Sequence, residues 1–169
     1  MFLRSVFHKT GIMLKYADYD IVFGEIPDEV TLAINLSNCP NRCHGCHSPW
    51  LLEDIGSELN EEALESLINK YGDDITCVCF MGGDNDPKSV ELLAKYLHET
   101  HPQLKVGWYS GKEAFAEGID LVQFQFIKIG GYKESLGSLK SKTTNQRLYR
   151  INSDGSKEDL TYRFNGERQ

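Results

Sequence analysis

Two hydrophobic periods alternate along the chain. Val30 to Ser37 has period two: Val30, Leu32, Ile34 and Leu36 fall on one face, and Thr31, Ala33, Asn35 and Ser37 on the other. That is a strand with one greasy face and one small or polar face. Before it, Tyr19 to Ile26 is β-prone and is stopped by Pro27-Asp28, which predicts an edge strand. The period then becomes helical. Leu64, Leu67, Ile68 and Tyr71 form one stripe of a helix predicted over 59–71, with Asn60 as its cap, Glu61 and Glu62 in the first turn and Gly72 at its end. Ile75 to Met81 is a continuous apolar run of strand length, as expected for a strand covered on both faces. Asp86 caps a second helix that starts with Pro87, carries Val90, Leu93, Ala94 and Leu97, and stops at His101-Pro102. Leu104 to Tyr109, Phe124 to Ile129 and Leu148 to Ile151 complete the predicted strands, with a short helix over 112–117.

Strands alternating with helices imply βαβ units. There are too few for a complete eight-fold barrel, which takes about 250 residues. The expected fold is therefore α/β: a short, open, partial (βα) barrel of mostly parallel strands. Residues 13–151 form its domain. Residues 1–12 read as an extension, disordered or upstream of a true start at Met13, and 152–169 as a polar tail that adds an edge strand or stays mobile. In such a sheet ligands gather at the carboxyl ends of the strands. The polar and glycine features fall there: the cysteines, Gly82-Gly83-Asp84, Tyr109-Ser110-Gly111 and Gly130-Gly131.

Composition narrows the class. At 169 residues with 40% hydrophobic and 25% charged positions, the chain reads as one globular domain. A net charge of −7 argues against direct nucleic-acid binding, which wants clustered Lys and Arg. No run approaches transmembrane length, and no signal-peptide pattern opens the chain, so no membrane partner is expected. Five cysteines, three of them clustered, do not resemble a disulfide framework and point to a reducing cytoplasm.

The chemistry concentrates in Cys39-Pro40-Asn41-Arg42-Cys43-His44-Gly45-Cys46, a C-x₃-C-x₂-C spacing straight after the alternating strand. An iron–sulfur cube normally takes four thiolates; three leave one iron open to a small molecule. Zinc on Cys39, Cys43, Cys46 and His47 is the competing reading. Structural zinc usually draws its ligands from two separated segments, and adjacent Cys46 and His47 chelate one ion awkwardly. Cys77 and Cys79 lie two apart in a strand and read as core. His44 and His47 read as partly exposed loop residues, as holders of a substrate group or as tuners of the metal site through a hydrogen bond. Gly82-Gly83 admits close backbone approach, and Asp84 could receive an ammonium group. Asn145-Gln146-Arg147 reads as a capped strand start, a partner surface or the mouth of the site.

At these residues the sequence resembles the radical S-adenosylmethionine enzymes. Within them it is similar to the glycyl-radical activases, in particular the activating proteins of anaerobic ribonucleoside-triphosphate reductase. The similarity rests on Cys43-His44-Gly45-Cys46-His47-Ser48-Pro49, Phe80-Met81-Gly82-Gly83-Asp84, Trp108-Tyr109-Ser110-Gly111 and Thr144-Asn145-Gln146-Arg147. Gly45 stands where much of the superfamily has an aromatic residue, in agreement with this branch, and Asp84 where Glu is common. The resemblance implies a [4Fe–4S] cluster on Cys39, Cys43 and Cys46, with S-adenosyl-L-methionine chelating the open iron. Gly45, Cys46 and His47 would face its adenosyl part; Gly82, Gly83, Asp84 and Ser110 would complete the cofactor site. It also implies a one-electron reductant such as flavodoxin or ferredoxin, reductive cleavage to a 5′-deoxyadenosyl radical, and a glycyl radical raised on the reductase. No acid–base side chain is implied, since the cofactor carries the chemistry. Trp50, Tyr132 and Arg147 are expected on the docking face. The alternatives are an activase of another glycyl-radical enzyme, of the pyruvate formate-lyase type, and a non-enzymatic iron–sulfur electron carrier.

Overall fold

The structure is a computed structural model and describes residues 13–166. The expectation for residues 1–12 lies outside the described residues. Eight strands form one open mixed sheet: β1 (Lys15–Val22), β2 (Thr31–Leu36), β3 (Ser57–Glu58), β4 (Cys77–Met81), β5 (Lys105–Tyr109), β6 (Phe126–Ile129), β7 (Arg147–Ile151) and β8 (Lys157–Asp159), in the order β3-β1-β2-β4-β5-β6-β7-β8. The α/β class and the open sheet agree with expectation. The parallel part is narrower than "mostly": β2, β4, β5 and β6 pair in parallel, while β1, β3, β7 and β8 join antiparallel.

Both long helices, α1 (Glu61–Asn69) and α2 (Pro87–Thr100), bury their stripes in one core with Leu32, Ile34, Val78, Phe80, Val106, Trp108 and Ile127. Their caps are as expected: Asn60 Oδ1 accepts from Ala63 N at 2.9 Å, and Asp86 Oδ1 from Ser89 N at 3.2 Å. Glu65 of α1 accepts from Tyr96 of α2 at 2.9 Å and lies 2.7 Å from His101 Nε2, so polar contacts tie the two helices together. Alternation along the strands sends Cys77, Cys79, Phe126 and Leu148 to the opposite face of the sheet. There they form a second core with Ile26 and Leu160. Burial pushes the Cys77 thiol up to about 12 and Cys79 well above its ordinary value, so both are inert core thiols, as the sequence suggests.

Two further expectations change. The first strand lies at Lys15–Val22, not 19–26, because Ile26 turns inward and is fully buried in the second core. No helix forms over 112–117: the segment is short for nucleation, and Lys112 O instead accepts from Gly130 N at 2.6 Å. Beyond residue 151 the first of the two alternatives for the polar tail is what forms, an edge strand. β8 extends the sheet, and α3 (Tyr162–Asn165) follows Leu160 under the second face, where Arg163 pairs with Asp28 at 2.8 and 3.0 Å. Among the described residues no helix is long and apolar enough to cross a membrane.

Candidate functional site

Parallel pairing of β2, β4, β5 and β6 brings their carboxyl ends into one row. Four loops start there: residues 37–56, 82–86, 110–125 and 130–146. The strand ends are fastened to one another. Gly82 N donates to Tyr109 O at 2.9 Å, Trp108 Nε1 donates to Gly82 O at 2.8 Å, and Ser110 N donates to Lys128 O at 2.8 Å. Gly83 has φ +91°, and a Cβ there would come within 2.6 Å of Val90 and 2.9 Å of Leu36. A glycine is required so that α2 can start this close to β2.

The cysteine loop rises from the end of β2. Asn38 N donates to Glu53 O at 3.1 Å and Cys39 N to Leu51 O at 2.9 Å, which folds the 3₁₀ turn Pro49–Leu52 back beside the first cysteine. Cys46 N donates to Cys43 O at 3.2 Å, and Ser48 N lies 3.4 Å from Cys46 Sγ. Cys39, Cys43 and Cys46 are unpaired and half-buried.

Asp84 is the hub of the site. Its Oδ1 accepts from Ser110 Oγ at 2.6 Å; its Oδ2 accepts from Gly111 N at 2.8 Å and from Asn41 Nδ2 at 2.7 Å. Asn41 sits between the first two cysteines, and its Nδ2 lies 3.6 Å from Cys39 Sγ. The expected ammonium acceptor therefore latches the cysteine loop to the end of β5, with Ser110 as part of the latch.

The loop after β6 closes the other side. Gly131 lies so near Cys43 that a Cβ on it would stand 3.2 Å from Sγ. Tyr132 packs against His47 with ring centres 5.0 Å apart and planes tilted by 60°, and it borders Gly45, while Glu134 Oε2 lies 3.3 Å from His44 Nδ1. Of the three expected docking residues, Trp50 is half-exposed, Tyr132 is engaged by His47, and Arg147 lies 3.8 Å from Asp159.

One residue of the site escaped the sequence reading. Lys128 is 8% exposed, and its Nζ donates to Gly130 O at 2.9 Å and to Gln146 Oε1 at 3.1 Å beneath the Tyr109 ring. Burial pulls its pKa down to about 8, against the opposing pull of Asp84 and Cys43. A lysine within the apolar run Phe126-Ile127-Lys128-Ile129 was the available signal.

The donor chemistry of the cysteine loop suits a thiolate-bound metal centre: three free thiols in one loop, at the strand ends where a ligand site is expected. Among the described residues no group of three or more His, Cys, Asp or Glu is disposed to hold a metal ion. A cavity of about 400 Å³ lies at the opposite end of the sheet, bordered by Glu29, Lys105, Gln125 and Arg150, away from the thiols. No family model, no curated protein and no solved structure matches the chain.

Proposed function

We propose that this chain is a radical S-adenosylmethionine activating enzyme that raises a glycyl radical on anaerobic ribonucleoside-triphosphate reductase. In this reading Cys39, Cys43 and Cys46 hold a [4Fe–4S] cluster, S-adenosyl-L-methionine takes the open iron, and flavodoxin or ferredoxin is the reductant. When bound, the cluster would supply the electron for reductive cleavage of the sulfonium. The observation that carries the reading is the placement of three free thiols on one loop at the strand ends, with Asn41, beside Cys39, latched through Asp84 to Ser110 and Gly111, and with Gly131 against Cys43.

The protein's own residues divide the work. Gly82 and Gly83 form the turn at the end of β4 that would border the methionine end, and Asp84 keeps the cysteine loop in place. Gly45 and His47, backed by Tyr132, border the adenosyl side. Trp50 offers an exposed apolar surface beside the cysteine loop for the partner.

The test is anaerobic reconstitution with iron and sulfide, reduction, and addition of S-adenosyl-L-methionine. 5′-Deoxyadenosine should form, and with the reductase present a glycyl-radical signal should appear by electron paramagnetic resonance. An intact cluster that cleaves nothing would sink the proposal in favour of an electron carrier. Cleavage without the glycyl signal would point to another radical enzyme.

A further inference from the structure

The Gly130-Gly131 turn is the wall of the cysteine loop, and all four of its backbone polar atoms are occupied. Gly130 N donates to Lys112 O at 2.6 Å, and Gly130 O accepts from Lys128 Nζ at 2.9 Å. Gly131 N donates to Glu113 Oε1 at 3.3 Å, and Gly131 O accepts from Asn145 Nδ2 at 3.0 Å. Gln146 is 7% exposed and accepts the same Lys128 ammonium at 3.1 Å. A Cβ on Gly130 would meet Gln146 Cα at 3.0 Å and Asn145 O at 3.1 Å, so the segment before β7 lies hard against the turn.

Hairpin pairing of β6 with β7 explains why these segments are neighbours. It does not explain the side chains. Asn145 keeps its Oδ1 buried without a partner. Flipping its amide would set that oxygen against two acceptors, Gly131 O and Glu113 Oε1, so the orientation is determined. A buried unpaired oxygen costs stability and marks a polar group held for its position.

We propose that Asn145 and Gln146 are positioning residues of the thiol site: through Gly131 O and the Lys128 ammonium they hold the Gly130-Gly131 turn over Cys43. As a feature of a cluster-binding site this rests on the function proposed above; as a contact that shields Cys43 it does not.

The test uses the full-length apoprotein, reduced and free of oxygen, with a short pulse of iodoacetamide read by peptide mass spectrometry. Asn145→Ala and Gln146→Met should raise alkylation of Cys43 about threefold or more relative to Cys39 and Cys46, since thiol reactivity follows access and environment. Gln146→Glu keeps an acceptor for Lys128 and should retain the parental pattern. Cys77 and Cys79 report on the fold and should stay unlabelled. An unchanged Cys43 in both variants overturns the proposal, and so does labelling of Cys77 and Cys79 together with Cys43, which would mean general loosening. Because the reading is taken on apoprotein, it holds or fails independently of S-adenosylmethionine cleavage.

Discussion

Lys128 places a charge inside an otherwise apolar strand, and that charge is the most exposed to test at the level of single residues. The unfolded chain keeps its proton up to the ordinary value near 10.5, whereas the folded protein releases it near 8. Between these values unfolding takes up a proton, so the Lys128 contribution to stability rises with pH; below about 8 that gain is lost. Buried Cys77 and Tyr109 are pushed upward and work in the opposite sense at high pH, so the comparison must be with a variant. Urea denaturation of the parent and Lys128→Met from pH 7 to 10.5 should show the parent gaining on the order of 3 kcal/mol relative to the variant. Parallel curves would remove Lys128 as a buried titrating group. Asp84 makes a related point without titration. One methylene shorter than Glu, it reaches Ser110, Gly111 and Asn41 together and fastens the cysteine loop to the end of β5.

The elements act mainly by delivering loop starts to one edge. α2 begins four residues after Gly83, and its capping holds the Gly82-Asp84 turn between β4 and β5. Both Asp86 oxygens are spent on Ser89, one on its amide at 3.2 Å and one on its hydroxyl at 2.6 Å. Asp86→Ala should cost about 1–2 kcal/mol, read as a lower urea midpoint with unchanged slope. A loss no larger than that of an exposed surface change would show that Pro87 and packing alone start the helix. The segment between β5 and β6 illustrates the contrary case. It crosses without an α-helix, because Phe124 packs on Trp108 at 5.3 Å and the backbone of Lys112 serves Gly130.

For the whole molecule, the two faces of the sheet are unequal. One is covered by α1 and α2. The other is covered by Ile26 and by the segment beyond β8, with Leu160 2% exposed among Cys77, Cys79, Phe126 and Leu148. That cover packs on β4 and β6, the strands that lead into the Gly82-Gly83 and Gly130-Gly131 turns. Leu160→Ala should cost about 2–5 kcal/mol, the range for a buried leucine truncation. Calorimetry measures it, and a loss below about 0.5 kcal/mol, as at a surface site, would contradict a core role for the C-terminal segment.

The order and kind of the principal elements were legible in local pattern. The period-two run of β2, the stripes and caps of α1 and α2, and the apolar run of β4 all depend on residues a few positions apart. So did the spacing of Cys39, Cys43 and Cys46, because donor chemistry within one loop is local. The pairing direction at the sheet edges was not legible, nor was the burial of Ile26 and Leu160 or the fate of residues 112–117. Each is decided by partners distant in sequence that compete with local propensity. The same holds for the site. The sequence by itself determined that three thiols share one loop and which glycines stand at the strand ends. Only the tertiary structure decided that Asp84 would hold Asn41, that Lys128 would enter the core, and that Gly131 would face Cys43. Those contacts follow from parallel pairing, which brings the ends of strands far apart in the chain into one row, where buried polar groups must find partners.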